Sequence, residues 1–84
     1  MEISVEMMAI IKRPKDLPRK FIHESDEPIS IQNLLTSLGF QLQDLKLMQF
    51  FVTASGSTEQ ERVGKRHTLS DLDTLFVTIP VGGG

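Results

Sequence analysis

Cysteine, tryptophan and tyrosine are missing from this chain of 84 residues, and five phenylalanines supply all of its aromatic rings. Without cysteine, the chain can form no disulfide, bind no metal through thiolate and use no thiol of its own in catalysis. Its two histidines, His23 and His67, lie far apart in the sequence and do not form the close pair that zinc sites use. No Gly-x-Ser-x-Gly or similar nucleophile motif occurs. We therefore expect no metal site, and we do not expect the chain to be an enzyme by itself.

An excess of one charge and a long hydrophobic run are also lacking. Nine Lys and Arg residues face eleven Asp and Glu residues, so the net charge is −2 and no bulk basicity points to nucleic acid. The longest apolar stretch, residues 7–11, is long enough for a strand but not for a membrane span. No secretion signal is recognisable. These features predict one cytoplasmic domain that binds neither nucleic acid nor membranes.

Alternating apolar and polar residues predict several strands. Near the end of the sequence, residues 74–81 alternate in this way, as in a strand with one buried face. One side carries Leu75, Val77 and Ile79, and the other carries Phe76 and Thr78. The same alternation predicts strands over residues 2–12, 19–24 and 47–54, and residues 58–66 form a long loop, with or without a short edge strand near residue 63.

A single main helix is predicted to begin after Ser30 and to end at Gly39. The Ser30 hydroxyl is a good acceptor for the free amides of a first helical turn, and Gly39 can adopt the left-handed conformation that ends a helix. Between them lies an apolar stripe, the signature of a helix that packs on one side: Ile31, Leu34, Leu35 and Leu38.

These elements predict an α+β protein with a mixed sheet of four or five strands and the helix across one face, because one helix can cover only one side of a sheet. The predicted core between helix and sheet comprises Val5, Met7, Leu34, Leu35, Leu38, Val52, Val77 and Ile79. The same strand phase places a second apolar set on the open face, where we expect it to bind partner proteins: Met8, Ile10, Phe51 and Phe76. The alternatives are that the 58–66 loop covers this face, that the chain self-associates there, or that partners bind the basic turn near residues 13–20.

The chain closes with Pro80, Val81, Gly82, Gly83 and Gly84. Glycines without side chains do not pack, but they can enter a narrow channel and present a carboxylate. This ending resembles that of the ubiquitin-like sulfur carriers, such as the small subunit of molybdopterin synthase and the thiamine sulfur carrier. Their usual pattern, Leu-x-Asp-Gly-Asp-x-Val, a short strand and Pro-Pro-Val-x-Gly-Gly, is matched without a gap at Leu69, Asp71, Asp73, Pro80, Val81, Gly83 and Gly84. The chain departs from it at Leu72, where the family has a turn glycine, and at Ile79, where it has the first proline.

The resemblance implies a β-grasp domain over residues 1–81, with the first and last strands central and parallel, and a flexible tail over residues 82–84. It also implies that a partner, an adenylyltransferase similar to ubiquitin-activating enzymes, uses ATP to adenylate the carboxylate of Gly84. A terminal thiocarboxylate would follow and would deliver sulfur to an acceptor such as the large subunit of molybdopterin synthase, with Pro80, Val81, Gly82 and Gly83 entering the partner's channel. The thiamine pathway, a ubiquitin-like modifier joined to lysines through Gly84, and a plain interaction module remain alternatives.

Overall fold

A mixed five-stranded sheet is the centre of the structure, a computed structural model that describes residues 1–14 and 16–80. The elements in chain order are β1 (Glu2–Met7), β2 (Lys20–Glu24), β3 (Ile29–Ser30), α1 (Ile31–Ser37), α2 (Leu42–Leu45), β4 (Gln49–Thr53), β5 (Glu61–Val63), β6 (Thr68–Leu69) and β7 (Thr74–Thr78). The strand order in the sheet is β2-β1-β7-β4-β5. β1 and β7 are parallel neighbours, whereas the other pairs are antiparallel. The predicted α+β class with a mixed sheet is confirmed.

Helix α1 begins and ends where the sequence predicts. The Oγ atom of Ser30 accepts a hydrogen bond from the backbone N–H of Asn33 at 3.1 Å, which satisfies one amide of the first turn. Gly39 has φ of 110°, a left-handed conformation that side chains disfavour. A Cβ atom at Gly39 would also lie 3.1 Å from Cβ of Pro14, so glycine suits this helix end for two reasons.

The core lies between α1 and one face of the sheet. Six of the eight predicted core residues are buried, and the other two, Leu38 and Ile79, are half-buried and pack against the same cluster. The cluster is completed by side chains from the connections as well as from the strands, namely Ile3, Ile11, Ile31, Phe40, Leu45, Phe50, Leu69 and Leu75. The predicted assignment of the helix to one sheet face is therefore confirmed.

The first strand is shorter than predicted. It ends at Met7 instead of continuing to residue 12, because the backbone turns: the N–H of Ile11 donates to the carbonyl of Met8 at 3.1 Å. This turn returns Ile11 to the core and leaves Ile10 exposed, so the apolar alternation continues after the strand has stopped. The prediction of a strand over residues 2–12 is wrong in this part.

A second, two-stranded sheet pairs β3 with β6 and was not predicted. It places the turn before β6 against the start of α1, where the N–H groups of Ile31 and Gln32 donate to the carbonyls of His67 and Lys65 at 3.0 and 2.8 Å.

Neither helix in the described part of the chain has the length and apolar character that a membrane-spanning helix requires.

Candidate functional site

The candidate site is the end of β7, from which the glycine tail continues. The last described residues are Ile79, half-buried against the core, and Pro80, which is exposed. The N–H of Ile79 approaches Sδ of Met8 at 3.4 Å, so the strand's end stays beside the end of β1. The ring of Pro80 fixes φ near −65° and removes the amide donor, which disfavours further ladder bonding. The predicted tail residues Val81, Gly82, Gly83 and Gly84 lie outside the described residues.

The turn that leads into β7 is tied to the first strand by side-chain and backbone bonds. The backbone N–H of Glu2 donates to Oδ1 of Asp71 at 2.8 Å, and the N–H of Leu72 donates to the carbonyl of Glu2 at 2.7 Å. Asp73, only 8% exposed, accepts from the N–H of Ser70 at 2.9 Å through Oδ2. Both aspartates therefore accept hydrogen bonds from backbone amides, which gives them a structural role in this turn.

Leu72 has φ of 67°, the only positive φ among the described residues other than glycine. This is the position at which the sulfur carriers have their turn glycine. A leucine in the left-handed region is strained, because its Cβ crowds the following carbonyl. The turn thus has a backbone conformation that suits glycine although leucine occupies it, and the hydrogen bond from the Leu72 N–H to Glu2 helps to hold it there.

The open face of the sheet has an aromatic pair at its centre. Phe51 on β4 lies directly opposite Phe76 on β7, and both are half-buried. On the neighbouring strands, charged residues lie next to this pair: Glu6 on β1 beside Phe76, and Arg62 on β5 beside Phe51. Glu6 also forms an exposed ion pair with Lys20, at 3.7 Å, a type of pair that contributes little stability. The predicted patch is therefore a narrow aromatic centre with charged margins.

The other two predicted contact residues follow β1. Met8 is half-buried, packs against the core cluster and donates its N–H to the carbonyl of Val77 at 3.0 Å. Ile10 is 58% exposed and lies beyond the strand, so it does not extend the row formed by the two phenylalanines. The structure brings Phe51 and Phe76 together but places Ile10 elsewhere, because β1 stops early.

The predicted long loop before β5 does not cover this aromatic pair. Ser57 and Glu59 line the same pocket as Val52 and Asp73, which point toward the core side of the sheet. Arg62, in turn, belongs to β5 and extends the sheet as its edge. The short edge strand predicted near Val63 is thereby confirmed, and the residues that precede it, Ser57 and Glu59, line a pocket that includes neither Phe51 nor Phe76.

A groove beside the root of the tail was not predicted. It has a volume of about 720 Å³, and Pro80 forms part of its wall. Its lining combines apolar residues from three separate segments, Ile10, Leu47 and Ile79, with the basic residues Lys12, Lys46 and Arg62. Because these residues come from distant parts of the sequence, no local pattern marks the groove.

Comparisons of this chain with protein-family models, with curated proteins and with solved structures found no match. Within residues 1–14 and 16–80, no three or more histidine, aspartate or glutamate residues are grouped in a way that would hold a metal ion. What the chain does must therefore be inferred from its tail, its central strands and the surfaces around Pro80.

Proposed function

We propose that this chain is a sulfur carrier with a β-grasp, ubiquitin-like fold, and that the carboxylate of Gly84 carries the sulfur. The observation that carries the proposal is that the central strand β7 runs without a turn to an exposed Pro80, and the sequence then continues into Val81 and three glycines. The parallel β1–β7 pair and the helix on one sheet face agree with the fold that the resemblance implies.

The turn before β7 supports the same assignment. Leu69, Asp71 and Asp73 match the sulfur-carrier pattern, and Leu72 adopts φ of 67° at the position of the family's glycine. A match in sequence is thus joined by a match in the backbone conformation that explains why glycine is usual there. At Ile79, the other departure, the side chain packs against the core, which gives a reason for an apolar residue in place of the first proline.

The chemistry begins with an unreactive acid. A carboxylate is a poor acyl donor, because the leaving group would be an oxide. Attack by the Gly84 carboxylate on the α-phosphorus of ATP, in a partner adenylyltransferase, releases pyrophosphate and forms a mixed anhydride with AMP. A hydrosulfide ion then adds to the carbonyl carbon and expels AMP, and the resulting thioacid loses its proton to give the thiocarboxylate. A persulfide donor would instead form an acyl disulfide, which a thiol must reduce to release the same product.

The tail is suited to this transfer. Glycine has no Cβ to obstruct a narrow channel or to shield the carbonyl from attack. Pro80 fixes its own φ near −65° and favours an extended conformation at Ile79, which stiffens the root of the tail. The second enzyme, which accepts the sulfur, must admit the same tail; molybdopterin synthesis is the pathway that we favour, with thiamine synthesis as the related case.

The decisive measurement is the intact mass of the chain after reaction with its native activating enzyme, ATP and a sulfur source. We expect a mass gain equal to the difference between one sulfur atom and one oxygen atom, located on Gly84 by fragmentation. The same reaction without ATP is the control. Conjugates of higher mass, joined through Gly84 to lysine, would instead identify a protein modifier, and a chain that forms no adenylate would refute both uses.

A further inference from the structure

The groove beside Pro80 brings together two hydrophobic side chains that are mostly in contact with water. Leu47 is 71% exposed, more than any other large hydrophobic residue in residues 1–14 and 16–80, and Ile10 is 58% exposed. Both line this groove, together with Ile79. By contrast, the phenylalanines of the open face are half-buried. An apolar concavity of this kind favours a binding site.

The lining of the groove carries a net positive charge although the chain as a whole is negative. Lys12, Lys46 and Arg62 line the groove and Asp44 is the acidic residue among the lining side chains, which leaves a local charge of +2 against −2 for the chain. In the described part of the chain, the salt bridge between Lys20 and Glu6 is the only one, so none of the three cations is paired. An occupant with negative charge would be complementary to this lining.

The proposed chemistry at Gly84 would bring the activating enzyme near this groove. Gly84 lies four positions after Pro80, and four extended residues span at most about 14 Å. An enzyme that acts on Gly84 must therefore bring its channel close to Pro80, and hence close to the groove that Pro80 helps to line. A segment seated in the groove would touch the root of the tail and restrict the direction in which it leaves.

We propose that this groove binds an acidic segment of the activating enzyme, with an apolar side chain over Leu47 and Ile10 and carboxylates facing Lys12, Lys46 and Arg62. The identity of that enzyme rests on the proposed function; the chemistry of the occupant rests on the groove itself. The apolar wall distinguishes the site from one for a free anion, which needs no exposed leucine.

The test uses the full chain labelled with ¹⁵N and two capped hexapeptides. The probe has Leu-Phe at its centre with two acidic residues on either side, and the control peptide has lysine in place of each acidic residue. We expect the acidic peptide to give saturable amide shifts at groove residues, reduced at salt near 0.5 M because the Debye length falls to about 4 Å. The basic peptide should give no saturable shifts.

Matched variants locate the binding. Lys46→Glu and Arg62→Glu should each weaken the acidic peptide about fivefold, since reversal turns one surface attraction into repulsion. Arg66→Glu makes the same charge change at an exposed position outside the groove lining and should leave affinity unchanged. Leu47→Ser should weaken binding without changing the charge.

Equal binding of both peptides, shifts confined to the Phe51–Phe76 pair, or no shifts at millimolar peptide would each overturn the proposal. The titration needs neither ATP nor Gly84 chemistry, so its failure is separate from failure of the carrier assignment. Peptide binding without adenylation would refute the carrier function but support the groove as a binding site. Thiocarboxylate formation without peptide binding would show that the activating enzyme docks on another surface.

Discussion

The two ends of strand β7 are built in opposite ways. At its start, Asp71 and Asp73 bind backbone amides, and the hydrogen bonds to Glu2 hold Leu72 in a conformation that leucine disfavours. At its end, Pro80 removes the next donor and the neighbouring groove leaves Leu47 largely in water. One end contributes to the stability of the fold and the other leaves surface available for a partner, so changes at the two ends should separate stability from function.

The largest expected effect comes from the tail beyond the end of β7. Deleting Gly83 and Gly84 should abolish adenylation, because the carboxylate would then lie two residues short of the position that the partner's channel serves. The unfolding midpoint should not change, since terminal glycines without side chains contribute little packing. ATP–pyrophosphate exchange measures the activation, with the full chain as control. Exchange retained by the shortened chain would contradict the carboxylate mechanism.

The same leucine-to-alanine change should cause a large loss of stability at one end and a small loss at the other. Leu75 is fully buried near the start of β7, so Leu75→Ala should lower the free energy of unfolding by about 2–5 kcal/mol through lost burial and a cavity. Leu47→Ala, at the groove, should cost less than about 0.5 kcal/mol, because the side chain is mostly in water already. Urea unfolding measures both. Equal losses in the free energy of unfolding at the two positions would contradict the distinction between a stabilising start of β7 and a binding surface at its other end.

Asp73 tests the hydrogen bonding at the start of the strand. Asp73→Ala should lower the free energy of unfolding by about 1–2 kcal/mol, because the N–H of Ser70 loses its charged acceptor, the mostly buried carboxylate of Asp73. Asp73→Asn keeps an oxygen acceptor and should recover part of that loss. Asp26→Ala, at an exposed aspartate, is the matched control and should change little. If Asp73→Ala leaves the free energy of unfolding unchanged, the turn is held by its backbone hydrogen bonds and not by the Asp73 side chain.

The open face between the two ends gives a smaller effect, on binding. Phe76→Ser should weaken affinity for the activating or the acceptor enzyme about tenfold, as expected when an aromatic contact residue is lost. Thr74→Ser, on the same strand but exposed, is the control. Calorimetry with the tail intact measures affinity, and thermal unfolding checks the fold. If both enzymes bind Phe76→Ser normally, docking uses another surface, with the groove beside Pro80 and the basic turn near residues 13–20 as the candidates.

Local patterns in the sequence predicted the helix and most strands, because caps and alternation depend on neighbouring residues. Ser30 and Gly39 mark the ends of α1, and alternation places Val77 in the core. The groove could not be predicted, since its walls come from segments that only the fold brings together. The early end of β1 could not be predicted either, because a turn that returns Ile11 to the core preserves the apolar spacing of a longer strand.

The smallest effect expected is a gain in stability at Leu72. Leu72→Gly should raise the free energy of unfolding by about 1 kcal/mol, because glycine removes the steric penalty of φ at 67°, and the exposed leucine gives up little burial. The added freedom of glycine in the unfolded chain offsets part of this gain. Leu47→Gly makes the same exchange at another exposed leucine with negative φ, and should instead lose about 0.5–1 kcal/mol. Urea unfolding compares the two variants. Destabilisation of equal size in both would mean that the turn accepts leucine without strain, and the backbone support for the sulfur-carrier resemblance would be lost.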